Sequence, residues 1–185
     1  MRYIRRRPLP QLLKEYYPLF QNYGMIKEQI IEEFRTRKKY VGAAGDFIWE
    51  IFQLILTAVA KAYKDGKIGE EQFYRDNRDI YNKMWMFMGS EGRDPIQIQT
   101  AYYLNDIKYS QIHFKDLQGF KIFCVSCCSA CDYYHNKELS IDEALEHARN
   151  TATRCANKYK NGCRTTYIMR IPDTDTPSWL KITLG

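Results

Sequence analysis

Through the first half of the chain, apolar residues recur at helical spacing, and through the second half they fall into short runs broken by turn residues. Residues 1–10 are expected to be an extended arm because Pro8 and Pro10 disfavour helix there. A short helix is predicted over residues 11–22, broken or kinked at Pro18, and a stronger one over 25–39, where Ile26, Ile30 and Phe34 stand at i, i+4 and i+8. Gly42 and Gly45 separate this from a helix over 47–64 capped by Asp46, apolar on most of its circumference and therefore central. The next helix, over 70–88, aligns Phe73, Ile80, Met84 and Phe87 on one face, and the short connection through Asp65-Gly66 makes it an antiparallel neighbour. Its run from Met84 to Met88 reads as core packing rather than a ligand patch.

Gly89, Gly92 and Pro95 open a linker, and residues 96–118 are ambiguous between strand and helix. Beyond them, 120–125 reads as a strand, His135-Asn136-Lys137 as a hairpin turn, and Ser140 with Glu143 as a capping box. The helix this opens turns Leu145, Ala148 and Ala152 inward; a strand over 165–171 and a tail over 172–185 follow. The expected class is α+β: a basic arm (1–10), a helical domain (11–88), a linker and unassigned segment (89–118), a small zinc-stabilised knuckle-hairpin-helix module (119–171) and the tail.

All six cysteines fall between Cys124 and Cys163, which changes the picture of the second half. Cys128 and Cys131 form a C-x₂-C knuckle able to aim both sulfurs at one tetrahedral ion, and Cys155 and Cys163 complete a four-thiolate shell. The expected cofactor is therefore a structural zinc. Cys124 and Cys127 make a second, overlapping C-x₂-C pair; Cys124 falls in the predicted strand, and Cys127 becomes a packed thiol beside the site. Replacement of a ligand by Cys124, Cys127 or His135 stays open, as does pairing of the thiols as disulfides. Otherwise His135 and His147 are expected at the surface or hydrogen-bonded beside the metal ligands.

The formal charge of +6 belongs to the first forty residues, which hold ten Lys or Arg against four Asp or Glu, while the rest is balanced. Arg2, Arg5, Arg6, Arg7, Arg37, Lys38 and Lys39 are thus candidates for contacts to phosphates or to an acidic protein. The alternative is a solvated arm and a basic helix C-terminus. The start of the sequence has no apolar signal region, and the longest apolar run, 47–63, is interrupted by Glu50, Gln53, Thr57 and Lys61. A cytoplasmic protein that does not cross a membrane is expected, and its reducing surroundings favour metal ligation over disulfides.

The stretch from Cys128 to Leu145, continued by Cys155 and by Asn161-Gly162-Cys163-Arg164, resembles the C-terminal cysteine-rich module of phage head-morphogenesis (minor head) proteins and related small bacterial proteins. The shared grammar is a C-x₂-C pair, a short hairpin, a helix opening Ser-Ile-x-Glu-Ala-Leu and a final Cys-Arg. The resemblance covers residues 119–171 and departs from the pattern at His135-Asn136, where Asp-Gly is usual, and at Thr165, where a further cysteine is usual. It implies a zinc module and a virion location if the chain belongs to a phage head.

Two functional classes follow. The first is a non-enzymatic zinc-stabilised interaction protein of phage or mobile-element kind with a protein partner; four thiolates leave no open coordination position for water activation. The second is a metal-dependent nuclease of the ββα type, or a nucleic-acid-binding protein using the basic arm. Its general base and metal ligands would come from His135, Asn136 and His147, yet no His-Asn-His spacing is present. A redox role for C-x₂-C lacks the βαβ setting.

Overall fold

The computed structural model describes residues 7–41, 43–116, 121–125, 133–154 and 165–170. Among these the chain is mostly helical with one small antiparallel sheet, an α+β architecture. Its order is α1 (Leu9–Asn22), α2 (Lys27–Val41), α3 (Ala44–Lys64), α4 (Glu70–Ser90), α5 (Ile96–His113), β1 (Lys121–Val125), β2 (Lys137–Leu139), α6 (Ile141–Arg154) and β3 (Thr166–Arg170). No helix among the described residues is long and apolar enough to cross a membrane.

The arm is shorter than its prolines suggest, since α1 starts at Leu9, which is buried. Pro10 lies in the first turn, where a missing N–H costs nothing, and Pro18 sits inside the helix without ending it. Tyr16 and Phe20, on either side of Pro18, are both fully buried, so packing outweighs a local cost of roughly 3 kcal/mol. Asp46 is in the first turn of α3 rather than at its cap, which is Ala43. There its carboxylate favours the helix N-terminus and accepts a 2.7 Å hydrogen bond from Arg93 Nη2. After α3, Gly66 takes φ +70, and Lys67 N donates to Ala62 O, closing the helix end and reversing the chain into α4.

One core lies among α1 to α4. Tyr16, Phe20, Phe52 and Phe87 meet edge to face, with Tyr16 5.6 Å from both Phe52 and Phe87. Ile80 and Met84 complete the α4 side, whereas Met86, in the same apolar run, is about half exposed. The stripe expected on α2 is partial: Ile30 is buried, Phe34 half-buried and Ile26 exposed.

The segment left open between strand and helix is the helix α5, which packs back along α4 and belongs to the second core. Tyr103 and Ile107 of α5 meet Ile122 and Cys124 of β1, Tyr167 of β3, and Ala144, Leu145 and Ala148 of α6. β1 is the central strand of order β2-β1-β3, with Cys124 opposite Lys137 on one side and Tyr167 on the other. Trp85 of α4 contacts both Tyr102 and Tyr103, so the two cores meet across the α4–α5 pair.

Candidate functional site

Cys128, Cys131, Cys155 and Cys163 lie outside the described residues, as do Cys127 and Arg2, Arg5 and Arg6. The described residues do define the chain segments that lead into these positions. β1 ends at Val125, whose partner across the ladder is Thr166, the first residue of β3. The chain therefore leaves the sheet toward Cys127 and Cys128 at the same end at which it returns from Cys163. β2 starts at this end too, because Lys137 pairs with Cys124 and Leu139 with Ile122.

The direction of α6 completes the set. The helix opens beyond Leu139, at the far end, and by His147 has come level with Tyr167, the partner of Cys124. At 1.5 Å per residue it runs about 10 Å further to Arg154, immediately before Cys155. Four chain segments, those before Cys127, after Cys131, before Cys155 and after Cys163, thus reach one end of the sheet.

Side chains fix these segments. Tyr103 on α5 donates its hydroxyl hydrogen to the carbonyl of Thr165, two residues after Cys163, and its oxygen receives Gln99 Nε2 at 3.3 Å. All three residues are buried. Tyr134 packs its ring 4.3 Å from that of His147, whose Nδ1 is 2.7 Å from the hydroxyl of Tyr167. Asn136 turns the chain into β2 with φ +57, a conformation that Asn adopts more readily than most residues, and its N–H donates to Cys124 O at 2.8 Å.

The capping box is formed as the sequence predicts. Glu143 Oε2 accepts the backbone N–H of Ser140 and its hydroxyl, each at 2.7 Å, and Glu143 N donates back to Ser140 Oγ at 3.3 Å. These bonds from Ser140 hold the Glu143 carboxyl below its ordinary pKa.

Cys124 is in the strand as expected and is wholly buried against α6. His135 is exposed at the turn. Of the two settings expected for His147, the surface is ruled out: only 4% exposed, it ties α6 to β3 through Tyr167. Position 147 lies three residues after Ala144 and one before Ala148, on the edge of the inward stripe, which is the signal that marks it as a core residue.

Among the described residues no three His, Cys, Asp or Glu side chains gather as a metal site.

The basic candidates that are described have partners within the chain. Arg7 Nε lies 2.9 Å from Glu91 Oε1 and Nη1 2.7 Å from Glu15 Oε2, and Nη2 donates to Ser90 Oγ. Glu91 is buried, and its carboxylate fits against the start of α3 because position 45 is Gly: a Cβ there would stand 3.1 Å from Glu91 Oε2. Burial beside this cluster lifts the Tyr16 phenol to about 12. Arg37 is 3.0 Å from Glu50 and 3.7 Å from Glu33. Lys38 and Lys39 have side chains outside the description.

No family model, no curated protein and no solved structure matches the chain.

Proposed function

We propose that this chain is a non-enzymatic interaction protein in which Cys128, Cys131, Cys155 and Cys163 hold one structural zinc ion and the helical half presents the surface for a protein partner. The observation that carries the reading is the common exit: the segments flanking all four cysteines reach one end of a small sheet. That gives residues distant in sequence a shared origin from which to close on one ion. Four thiolates occupy every position of a tetrahedral zinc and leave none for a reacting water. The resemblance of residues 119–171 to the minor head module makes a phage or mobile-element assembly the proposed setting, with the protein in the cytoplasm or the virion.

The nucleic-acid alternative is weakened by Arg7 and Arg37, whose guanidinium groups are engaged with Glu15, Glu91, Glu33 and Glu50. The deciding experiment is elemental analysis of protein purified without added metal, combined with thiol titration under denaturing conditions. About one zinc per chain and reduced thiols are expected; protein without metal, or with these cysteines paired as disulfides, overturns the proposal.

A further inference from the structure

In the helical half, α1, α2 and the start of α3 line a groove of about 680 Å³. Its volume lies within the ~300–1,000 Å³ usual for binding clefts. Among the described residues, Leu9, Leu13, Ile31 and Phe34 make it apolar, its charged lining residues are Arg7, Lys27 and Arg35, and no carboxylate lines it. Arg7 is already engaged with Glu15 and Glu91, so the recognising cations are Lys27 and Arg35. Both are exposed; Lys27 lies 5.9 Å over the Tyr17 ring, and Arg35 reaches Glu32 only at 3.6 Å on the surface.

The arrangement along α2 selects the ligand. Lys27, Ile31, Phe34 and Arg35 stand at i, i+4, i+7 and i+8, one helical face on which two basic positions about 12 Å apart along the helix axis bracket an apolar centre. A single-headed anionic amphiphile would meet only one of these cations. Phosphates of a nucleic acid would gain nothing from Ile31 and Phe34. Charge does not favour the chain's own arm as the occupant, since Arg2, Arg5 and Arg6 carry the same sign as the rim.

The geometry points to an acidic amphipathic helix of a protein partner, its apolar stripe lying on the partly exposed Ile31 and Phe34 and its flanking carboxylates meeting Lys27 and Arg35. This names the partner chemistry for the interaction-protein reading and rests on it.

The test uses the full chain and a fluorescently labelled helical peptide with a leucine stripe flanked by glutamates, measured by anisotropy. Saturable binding is expected, weakening at least about tenfold in the Lys27→Glu/Arg35→Glu variant, which changes exposed positions and keeps the helical circular dichroism. Ile31→Gln is expected to weaken binding with the charges intact. A peptide with lysines in place of the glutamates is expected not to bind.

Failure of the glutamate peptide to bind, or binding unchanged by charge reversal, overturns the groove assignment. So does binding of a single-stranded oligonucleotide or of phosphatidylglycerol vesicles with the glutamate peptide inert. Zinc content is measured on the same samples: normal zinc with no peptide binding overturns the groove alone, and charge-dependent binding by zinc-free protein overturns the metal alone.

Discussion

His147 Nδ1 stands 2.7 Å from the hydroxyl of Tyr167, and this contact joins α6 to β3 inside the second core. Both residues are buried, so removing one partner deletes a hydrogen bond that bulk water does not readily replace. Tyr167→Phe keeps the ring that packs 5.1 Å from Tyr103 and deletes only the hydroxyl. A loss of about 1–3 kcal/mol in urea unfolding is expected. Unchanged stability would show that the contact contributes nothing to the fold.

The proposed zinc predicts uneven unfolding. Binding energy of a structural metal is folding energy, so chelation is expected to raise amide exchange in β1, β2, α6 and β3 while α1, α3 and α4 stay protected. Those helices have their own buried core around Phe52 and Phe87, which does not draw on the sheet. Exchange rising equally in α3 and β1 would contradict this division.

Much of this division is legible in the sequence, and the exceptions have physical causes. Strong stripes such as Ile80, Met84 and Phe87 mark their helices because all but one of the buried positions of α4 are apolar, Asn77 being the exception. The inward stripe of α5 is Gln99, Tyr103, Ile107 and Ser110, helical in period but half polar, so hydrophobic periodicity misses it. Gln99 can be buried there because it bonds to the Tyr103 hydroxyl. The capping box was readable because it is a local motif whose two partners are three residues apart. Glu91 was not, since its burial depends on Arg7, 84 residues away, and on the space left at Gly45. For the site, sequence spacing supplies the proposed ligand set, while the common end of the sheet required the strand register.

The Arg7–Glu91 pair should be costly to break from either side. Glu91 is only 5% exposed, and Arg7→Ala would leave its carboxylate buried without its cation. A destabilisation of about 2–4 kcal/mol is expected, below the full cost for a wholly enclosed pair because Arg7 keeps some solvent contact. A double-mutant cycle with Glu91→Ala should return a coupling of at least about 1 kcal/mol. Additive single effects would mean the two side chains act independently.

Asp106 gives a pH dependence of defined sign. Burial is the main cause that raises its carboxyl pKa, with Asp79 adding to it and Arg78, 3.8 Å away, opposing it. A carboxyl raised on folding binds more protons in the native state, so its contribution is fully present below the unfolded pKa and is lost as pH rises through the folded one. Asp106→Asn is therefore expected to melt at a higher temperature than wild type at neutral pH, with the difference closing below about pH 4. A variant less stable at neutral pH would show that the Arg78 pairing outweighs burial.

The last prediction concerns catalysis: no plasmid cleavage is expected under magnesium, manganese or zinc. A ββα-metal nuclease needs a general-base histidine by its hairpin and metal ligands on the following helix. His135 occupies the first position, exposed at the turn before β2. On α6, however, the histidine is His147, buried with its Nδ1 on the Tyr167 hydroxyl and its ring against Tyr134. Reaching a catalytic ion would require breaking the contact that holds α6 to β3. A zinc closed by four thiolates likewise offers no position for the attacking water. The assay compares wild type with His135→Ala at matched metal content; cleavage by the wild type that disappears in the variant would make the hairpin histidine a general base and replace the interaction-protein reading with a nuclease.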